Sequence, residues 1–218
     1  VSLNAIHVRK ILVIKLSAMG DALCLMPAVR QLATAFPNSS ITWVTTPRTN
    51  PEIFSALRFV SKTIIIPTSV FGLLRFFFGF CFSLRQYDLV IDYDQYYRSS
   101  ELFACFGKKS GGFCTPLKGS RFDVQLEYDP IINEKTLFRA LTENIISRFG
   151  GSIPVYTPLL TELLDSFVPS DLLYNFFNDV HNMDRPLIVL HPGSSKNAIY
   201  RRWQFSNYEA LISVLIKR

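Results

Sequence analysis

The feature that most constrains this chain is a repeated alternation of short apolar runs with segments whose apolar residues recur at helical spacing. The first run, Ile11 to Leu16, is rich in β-branched residues and lacks the polar alternation of an exposed strand, which is typical of a parallel strand covered on both faces. From Ala22 to Phe36 the apolar residues recur at helical spacing until Pro37, which predicts a helix. Repetition of this unit predicts the α/β class and a Rossmann-like, doubly wound parallel sheet.

Later segments repeat the strand and helix unit. Predicted strands cover 41–45, 63–66, 89–93 and 111–114, predicted helices cover 51–57, 99–106 and 134–149, and 115–133 is predicted to be a polar loop. A less regular, proline-containing stretch follows, with a short aromatic helix near 171–180, and then a strand over 186–190 and a helix over 207–217. We therefore expect a first domain over 1–150, a linker region over 151–185, and a truncated second Rossmann-like domain over 186–218, too small to fold alone.

The charge balance favours anionic partners. The chain has 23 lysines and arginines against 17 aspartates and glutamates, a net charge of +6. Such an excess is compatible with binding phosphates or acidic glycolipids, although many proteins carry it for solubility alone. The sequence has neither an arginine-rich run nor an aromatic RNA-binding signature, so we predict no nucleic-acid partner.

Cysteine spacing and the first apolar run predict a cytoplasmic protein. The four cysteines match neither a zinc or redox C-x-x-C motif nor a dense disulfide framework, which is typical of thiols in a reducing compartment. The N-terminal apolar run is too short for a signal peptide with its cleavage site and is better explained as the first strand.

The segment from Val70 to Phe82 is hydrophobic all round apart from Arg75. It is shorter than the roughly 20 apolar residues that a spanning helix needs. A core helix that covers the sheet is one interpretation, and an interfacial membrane patch supported by Arg75 and Arg85 is another. We expect peripheral contact with the inner face of the cytoplasmic membrane if the second interpretation holds.

The loop after the first strand, KLSAMGDALCLMPA, is the first candidate functional element. It lies between the end of a predicted strand and the start of a predicted helix, which is where α/β folds bind ligands. It lacks the G-x-G-x-x-G and Walker patterns of nucleotide-binding loops. Gly20 is expected to permit a tight turn, and Asp21 either caps the helix or directs its carboxylate into a cleft. Lys15 attracts an acceptor phosphate or balances Asp21, and Ser17 binds substrate or caps the helix.

A second acidic cluster follows the strand over 89–93. Asp92 and Asp94 are expected to bind acceptor hydroxyls or to pair with Arg98. A metal site is disfavoured, because neither a histidine nor a third acid lies nearby in the sequence.

Three stretches resemble glycosyltransferase family 9, the ADP-heptose:lipopolysaccharide heptosyltransferase family. The first is ILVIKLSAMGDALCLMPAVRQLATAFPNSSITWV with its S-x-M-G-D loop, the second is DLVIDYDQYYRSSELFACFGKKSGGF, and the third is PLIVLHPGSSKNAIYRRWQFSNYEAL. The resemblance implies a GT-B architecture of two Rossmann-like domains and inversion at the anomeric centre, with no required metal and no cofactor. It also implies that Asp21 is the general base.

In the third stretch the resemblance implies a donor-binding role. Ser194 and Ser195 are expected to donate hydrogen bonds to the diphosphate of a nucleotide sugar. Arg201 or Arg202 is expected to stabilise the leaving diphosphate, although the family more often has a lysine there and the KNAIY insertion is long.

The resemblance therefore implies an inverting glycosyltransferase that moves a heptose or related sugar from ADP-heptose to a lipopolysaccharide core or similar glycan. The donor-binding loops of the family lie mostly beyond residue 218, so we expect this chain alone to be inactive. The alternatives are a non-catalytic sugar- or nucleotide-binding module and a membrane-associated scaffold.

Overall fold

The computed structural model describes residues 7–16, 19–49, 51–55, 57–67, 69–118, 120–150, 152–156, 188, 190–193, 199–200 and 202–216. The elements in chain order are β1 (Lys10–Ile14), α1 (Met19–Ala35), β2 (Ser40–Thr45), α2 (Glu52–Ser55), β3 (Lys62–Ile65), α3 (Val70–Leu84), β4 (Leu89–Asp92), α4 (Arg98–Ala104), β5 (Ser110–Cys114), β6 (Val124–Glu127), α5 (Glu134–Phe149) and α6 (Phe205–Ile216). A short 3-10 turn, Pro47–Thr49, lies between β2 and α2.

The strands form one six-stranded sheet in the order β3-β2-β1-β4-β5-β6. Every neighbouring pair is parallel. This order reverses direction between β1 and β4, which is the arrangement of a doubly wound Rossmann-like sheet. The fold predicted from the alternating pattern is confirmed.

Alternate residues of β1 enter opposite halves of the core, because successive side chains of a strand point to opposite faces. Ile11 and Val13 lie in the apolar cluster to which α1 and α5 contribute. Leu12 and Ile14 lie in the cluster to which α3 and α4 contribute. Burial on both faces explains why the strand reads as a continuous apolar run.

The predicted loop over 115–133 is wrong in part, because residues Val124–Glu127 form the edge strand β6. Val124 is buried and Gln125 and Glu127 are exposed, as expected of an edge strand with one face on the core. The alternation of apolar and polar residues from Val124 to Glu127 agrees with a strand, but four residues are too few to separate it from a polar loop.

Helix α3 covers the apolar segment in which a membrane patch is one interpretation. It begins at an N-cap, where Ser69 Oγ accepts a hydrogen bond from Gly72 N at 3.2 Å. Phe80 and Leu84 are buried against the sheet, whereas Phe71 is 80% exposed. Within the described ranges, no helix combines the length and apolar character needed to cross a bilayer.

The chain divides into two compact units, Val1–Phe167 and Val168–Arg218. The first contains the whole sheet, and α5 ends at Gly150, whose φ of 86° is the left-handed conformation that favours glycine. In the second unit, α6 is described, with the Trp203 and Tyr208 rings at its start in an edge contact at 5.1 Å. The predicted helix near 171–180 and most of the predicted strand over 186–190 lie outside the described residues, and the predicted domain limits stay a prediction.

Gly112 in β5 is a position where the packing excludes a side chain. A Cβ there would lie 2.5 Å from the Phe122 ring and 3.0 Å from Asp92 O. We expect Gly112→Ala to lower the free energy of unfolding by about 1–3 kcal/mol, as overpacking does, in urea denaturation. Gly79→Ala is the control, since a Cβ at Gly79 meets no atom within 4 Å, and equal stability of the two variants would contradict the prediction.

Candidate active site

The reversal in strand order brings the loops after β1 and β4 together. The two strands pair up to Ile14 and Asp92, so the residues that follow each strand leave the sheet side by side. In open α/β sheets this crevice at the carboxyl ends of the strands is where ligands bind. The candidate residues Lys15, Asp21, Asp92 and Asp94 all belong to these two segments.

Asp21 is the third residue of α1 and the acidic residue of its first turn. The positive end of a helix dipole stabilises a carboxylate in that position. Its side chain is 33% exposed, and Oδ2 lies 3.7 Å from Lys15 Nζ. Asp21 is thus a partly exposed carboxylate near the switch point of the sheet, the place between β1 and β4 where the strand order reverses. The buried ammonium of Lys15 lies beside it.

The ammonium of Lys15 has no exposed surface. It donates to Gln95 Oε1 at 2.9 Å and to Tyr93 O at 3.4 Å, and it lies 5.3 Å from the centre of the Phe138 ring. A buried charge is tolerated only where such partners compensate its lost hydration. Gln95 is a contact that the sequence interpretation missed, although its position two residues after Tyr93 places it beside the same strand end.

Asp94 organises the loop after β4 through backbone amides. Its carboxylate accepts hydrogen bonds from Leu16 N at 3.2 Å, Tyr96 N at 3.1 Å and Tyr97 N at 3.2 Å. The bond to Leu16 N ties the end of β1 to the loop after β4. Asp94 therefore joins the segment that leads from β1 to α1 with the loop that carries Gln95.

Asp92 is engaged by Lys118, which the sequence interpretation did not single out. Lys118 Nζ donates to Asp92 Oδ2 at 2.7 Å and to Ser100 Oγ at 3.0 Å, and it also contacts the Asp94 carbonyl oxygen. Ser100 Oγ donates to Asp92 Oδ2 at 2.6 Å. Burial raises the pKa of Asp92 to about 6, against the opposing effect of the Lys118 charge.

The predicted roles of the second acidic cluster are corrected by these contacts. Neither Asp92 nor Asp94 has exposed surface, so the expected contacts with acceptor hydroxyls are wrong. Asp92 pairs with Lys118 instead of Arg98. In the part of the chain that is described, no three side chains of His, Cys, Asp or Glu are grouped as metal ligands would be.

A cavity of about 380 Å³ lies between the start of α4 and the loop after β5. Its lining includes the basic side chains of Arg98 and Arg121, the acidic side chain of Glu101 and the apolar side chain of Leu117, together with Lys118, whose ammonium is paired with Asp92. Arg98 and Arg121 are exposed. The cavity can therefore receive a polar, anionic group at the carboxyl edge of the sheet.

The remaining predicted site residues are only partly described. Gly20 lies inside α1, and Gly150 is the glycine with positive φ among those described, so the expected tight turn at Gly20 is wrong. A Cβ at Gly20 would meet no atom within 4 Å. Arg202 is exposed in the second unit, and Ser17, Ser194, Ser195 and Arg201 lie outside the described residues.

Comparison with solved structures finds the same fold in several glycosyltransferases. The glycosyl transferase family 9 protein from Veillonella parvula superposes with a TM-score of 0.68 at 16% identity, over 92% of this chain and 58% of that one. E. coli ADP-heptose lps heptosyltransferase II gives 0.62 at 21% identity, over 95% and 61%. E. coli heptosyltransferase WaaC with ADP gives 0.54 at 22% identity, over 71% and 52%.

No protein-family model matches the chain, and no curated protein matches it in sequence. The chain spans little more than half the length of the solved structures. The fold implied by the resemblance is thus confirmed, and the chain shares its fold with these glycosyltransferases.

Proposed function

We propose that this chain is the acceptor-side part of an inverting glycosyltransferase and that Asp21 is its general base. The observation that carries the proposal is the Asp21 carboxylate itself, one third exposed at the switch point of the sheet and paired with a buried lysine. Partial exposure leaves an oxygen accessible to a substrate. The ion pair with Lys15 holds the other side of the residue inside the protein.

The proposed glycosyl transfer needs a base such as this carboxylate beside the acceptor hydroxyl. The acceptor hydroxyl oxygen attacks the anomeric carbon of the donor sugar, its proton passes to Asp21, and the bond from that carbon to the diphosphate oxygen breaks. Attack from the face opposite the leaving group inverts the configuration. A positioned base makes the hydroxyl a competent nucleophile as the new bond forms.

The proposed donor is a nucleotide sugar, with ADP-heptose as the first choice. Two of the similar structures are E. coli WaaC with ADP and with ADP-2-deoxy-2-fluoro heptose, which supports this choice. We assign Ser194 and Ser195 to the diphosphate, Arg201 or Arg202 to the developing negative charge on it, and Ser17 and Gly20 to the substrate side of the Asp21 loop. Lys15 is assigned to balancing Asp21, since its ammonium is buried.

The proposed acceptor is a lipopolysaccharide core or a similar anionic glycolipid. The exposed guanidinium groups of Arg98 and Arg121 in the cavity beside α4 support an acceptor with phosphate or carboxylate groups, because guanidinium groups bind such anions in a bidentate manner. The cavity lies at the same edge of the sheet as Asp21, which suits an acceptor that presents its hydroxyl group to Asp21.

The test is nucleotide release by the whole protein with a panel of nucleotide sugars and a truncated lipopolysaccharide acceptor. We expect release of ADP from ADP-heptose that depends on the acceptor. Absence of release with every ADP-, GDP- and UDP-sugar, together with measurable binding of one of them, would favour a non-catalytic binding module instead.

We also propose peripheral contact of α3 with the cytoplasmic face of a membrane. Phe71 is 80% exposed, Arg75 is exposed one turn further on, and an open, mainly apolar groove of about 410 Å³ runs beside Phe76 and Phe80. Apolar and basic side chains on one surface helix are typical of binding to anionic bilayers.

We therefore expect the Phe71→Ser, Arg75→Glu double variant to lose most of its binding to vesicles that contain anionic lipid, in a flotation assay. Ile131→Ser is the control, since Ile131 is 92% exposed but lies outside α3. Unchanged flotation of the double variant would overturn the membrane contact without affecting the transferase proposal.

A further inference from the structure

A continuous series of polar contacts runs inward from Asp21. Asp21 Oδ2 lies 3.7 Å from Lys15 Nζ, and Lys15 Nζ donates to Gln95 Oε1 at 2.9 Å. Gln95 Nε2 donates to Glu134 Oε1 at 3.1 Å. The series joins the loop after β1, the loop after β4 and the first residue of α5.

Among the described residues, the Lys15 ammonium has three polar partners, two within hydrogen-bond distance and one, at 3.7 Å, in an ion pair. Two are neutral oxygens, Gln95 Oε1 and Tyr93 O, and the third is the Asp21 carboxylate. The two neutral acceptors are buried, so they hold Lys15 Nζ in the protein interior. The third partner, Asp21, is the most exposed of the three, with 33% of its side chain accessible.

The Gln95 side chain cannot reverse its amide in this environment. Its NH₂ group faces a carboxylate oxygen of Glu134 and its carbonyl oxygen faces an ammonium, and the opposite orientation would place a donor against a donor and an acceptor against an acceptor. Tyr128 Oη also donates to Glu134 Oε1, at 2.6 Å. Burial and this hydrogen bond raise the pKa of Tyr128, which keeps its proton in place.

We propose that Gln95, oriented by Glu134, is a positioning residue that sets the place of the Lys15 ammonium beneath the Asp21 base. The inference rests on the proposed function of Asp21. A cation held at 3.7 Å by neutral oxygens keeps the carboxylate oriented while leaving an oxygen for the substrate. Without the Gln95 oxygen, the ammonium moves toward the only charged acceptor left to it among its described contacts, and the base is displaced.

The test is the Gln95→Met variant of the whole protein, which keeps the length of the side chain but removes its hydrogen bonds. We expect kcat to fall roughly 10- to 100-fold with KM for both substrates unchanged, because displacement of a reacting group by about 1 Å has an effect of that size. Gln86→Met is the control, since Gln86 accepts from Lys10 Nζ at 3.2 Å in an exposed pair at the opposite end of the sheet. That variant is expected to keep the wild-type kcat.

A double-mutant cycle separates positioning from a general loss of structure. If Gln95 acts through Lys15, the effects of Gln95→Met and Lys15→Met on kcat are not additive. Additive effects, or a Gln95→Met protein with wild-type kcat, would overturn the inference. Circular dichroism identifies a temperature at which all variants are folded. If Gln95→Met does not fold, Gln95→Asn replaces it, because the shorter side chain cannot reach both partners.

This experiment also distinguishes the inference from the function on which it rests. Loss of turnover in Asp21→Asn with normal turnover in Gln95→Met leaves the proposed function intact and removes only the positioning role. Absence of turnover in the wild-type protein removes the proposed function, and the inference with it.

Discussion

Replacement of Asp21 by asparagine is expected to lower kcat of the whole protein roughly 10²–10⁴-fold, the range that a positioned general base contributes. The amide has nearly the same shape as the carboxylate but cannot take the acceptor proton. The donor contacts assigned to Ser194, Ser195 and the arginine pair do not involve Asp21. We therefore expect the dissociation constant of ADP-heptose, measured by calorimetry, to change little.

Asp88→Asn is the matched control for this variant. Asp88 also forms an ion pair with a lysine, with Lys108 Nζ 2.7 Å from its Oδ1, and it lies at the opposite end of the same strands, where it accepts from Arg9 N and Lys10 N. The Asp88→Asn variant should retain the wild-type kcat. Wild-type kcat in Asp21→Asn would remove Asp21 from the mechanism.

Replacement of Lys118 by methionine is expected to lower the free energy of unfolding by about 3–5 kcal/mol, the usual cost of leaving one member of a buried ion pair without its partner. The side chains of Lys118 and Asp92 are 1% and 0% exposed, and their charged atoms are 2.7 Å apart. Urea denaturation measures the loss.

The exposed pair of Lys109 and Asp123 provides the comparison. Lys109 Nζ lies 3.1 Å from Asp123 Oδ1, and the two side chains are 41% and 38% exposed. Lys109→Met should therefore lower the free energy of unfolding by no more than about 1 kcal/mol. The double variant Lys118→Met, Asp92→Asn should recover part of the loss, because the unpaired buried charge is then removed. A loss for Lys118→Met as small as that for Lys109→Met would contradict the assignment of a buried ion pair.

The loss in Lys118→Met should also depend on pH. Burial raises the pKa of Asp92 from 3.8 to about 6, so the folded state binds more protons than the unfolded state between these values, and the contribution of Asp92 to stability falls as pH rises through that window. Without the Lys118 charge, which lowers this pKa, the window extends to higher pH. We therefore expect the variant to lose more stability, relative to the wild type, at pH 8 than at pH 5.

The parallel sheet could be predicted from the sequence because its central strands are covered on both faces. Runs such as Ile11–Ile14 and Leu89–Ile91 are uniformly apolar for that reason, and the helices between them keep a regular apolar spacing. Edge strand β6 escaped the prediction because one of its faces is exposed, so its short sequence resembles a polar loop.

The site was harder to predict, because its contacts join residues far apart in the chain. The partner of Asp92 lies 26 positions away at Lys118, and the partner of Lys15 lies 80 positions away at Gln95. Local sequence identified Asp21 through its position after a strand and at a helix start. It did not identify Lys15 and Lys118 as buried, since their burial depends on contacts with residues far away in the chain.

The measurement that tests the proposed mechanism most directly is an NMR determination of the anomeric configuration of the product that the proposal expects from ADP-heptose and the acceptor. Direct displacement with Asp21 as the base predicts a linkage whose anomeric configuration is opposite to that of the donor. A product with the donor configuration retained would contradict the account, because a single displacement from the face opposite the leaving group always inverts the anomeric centre.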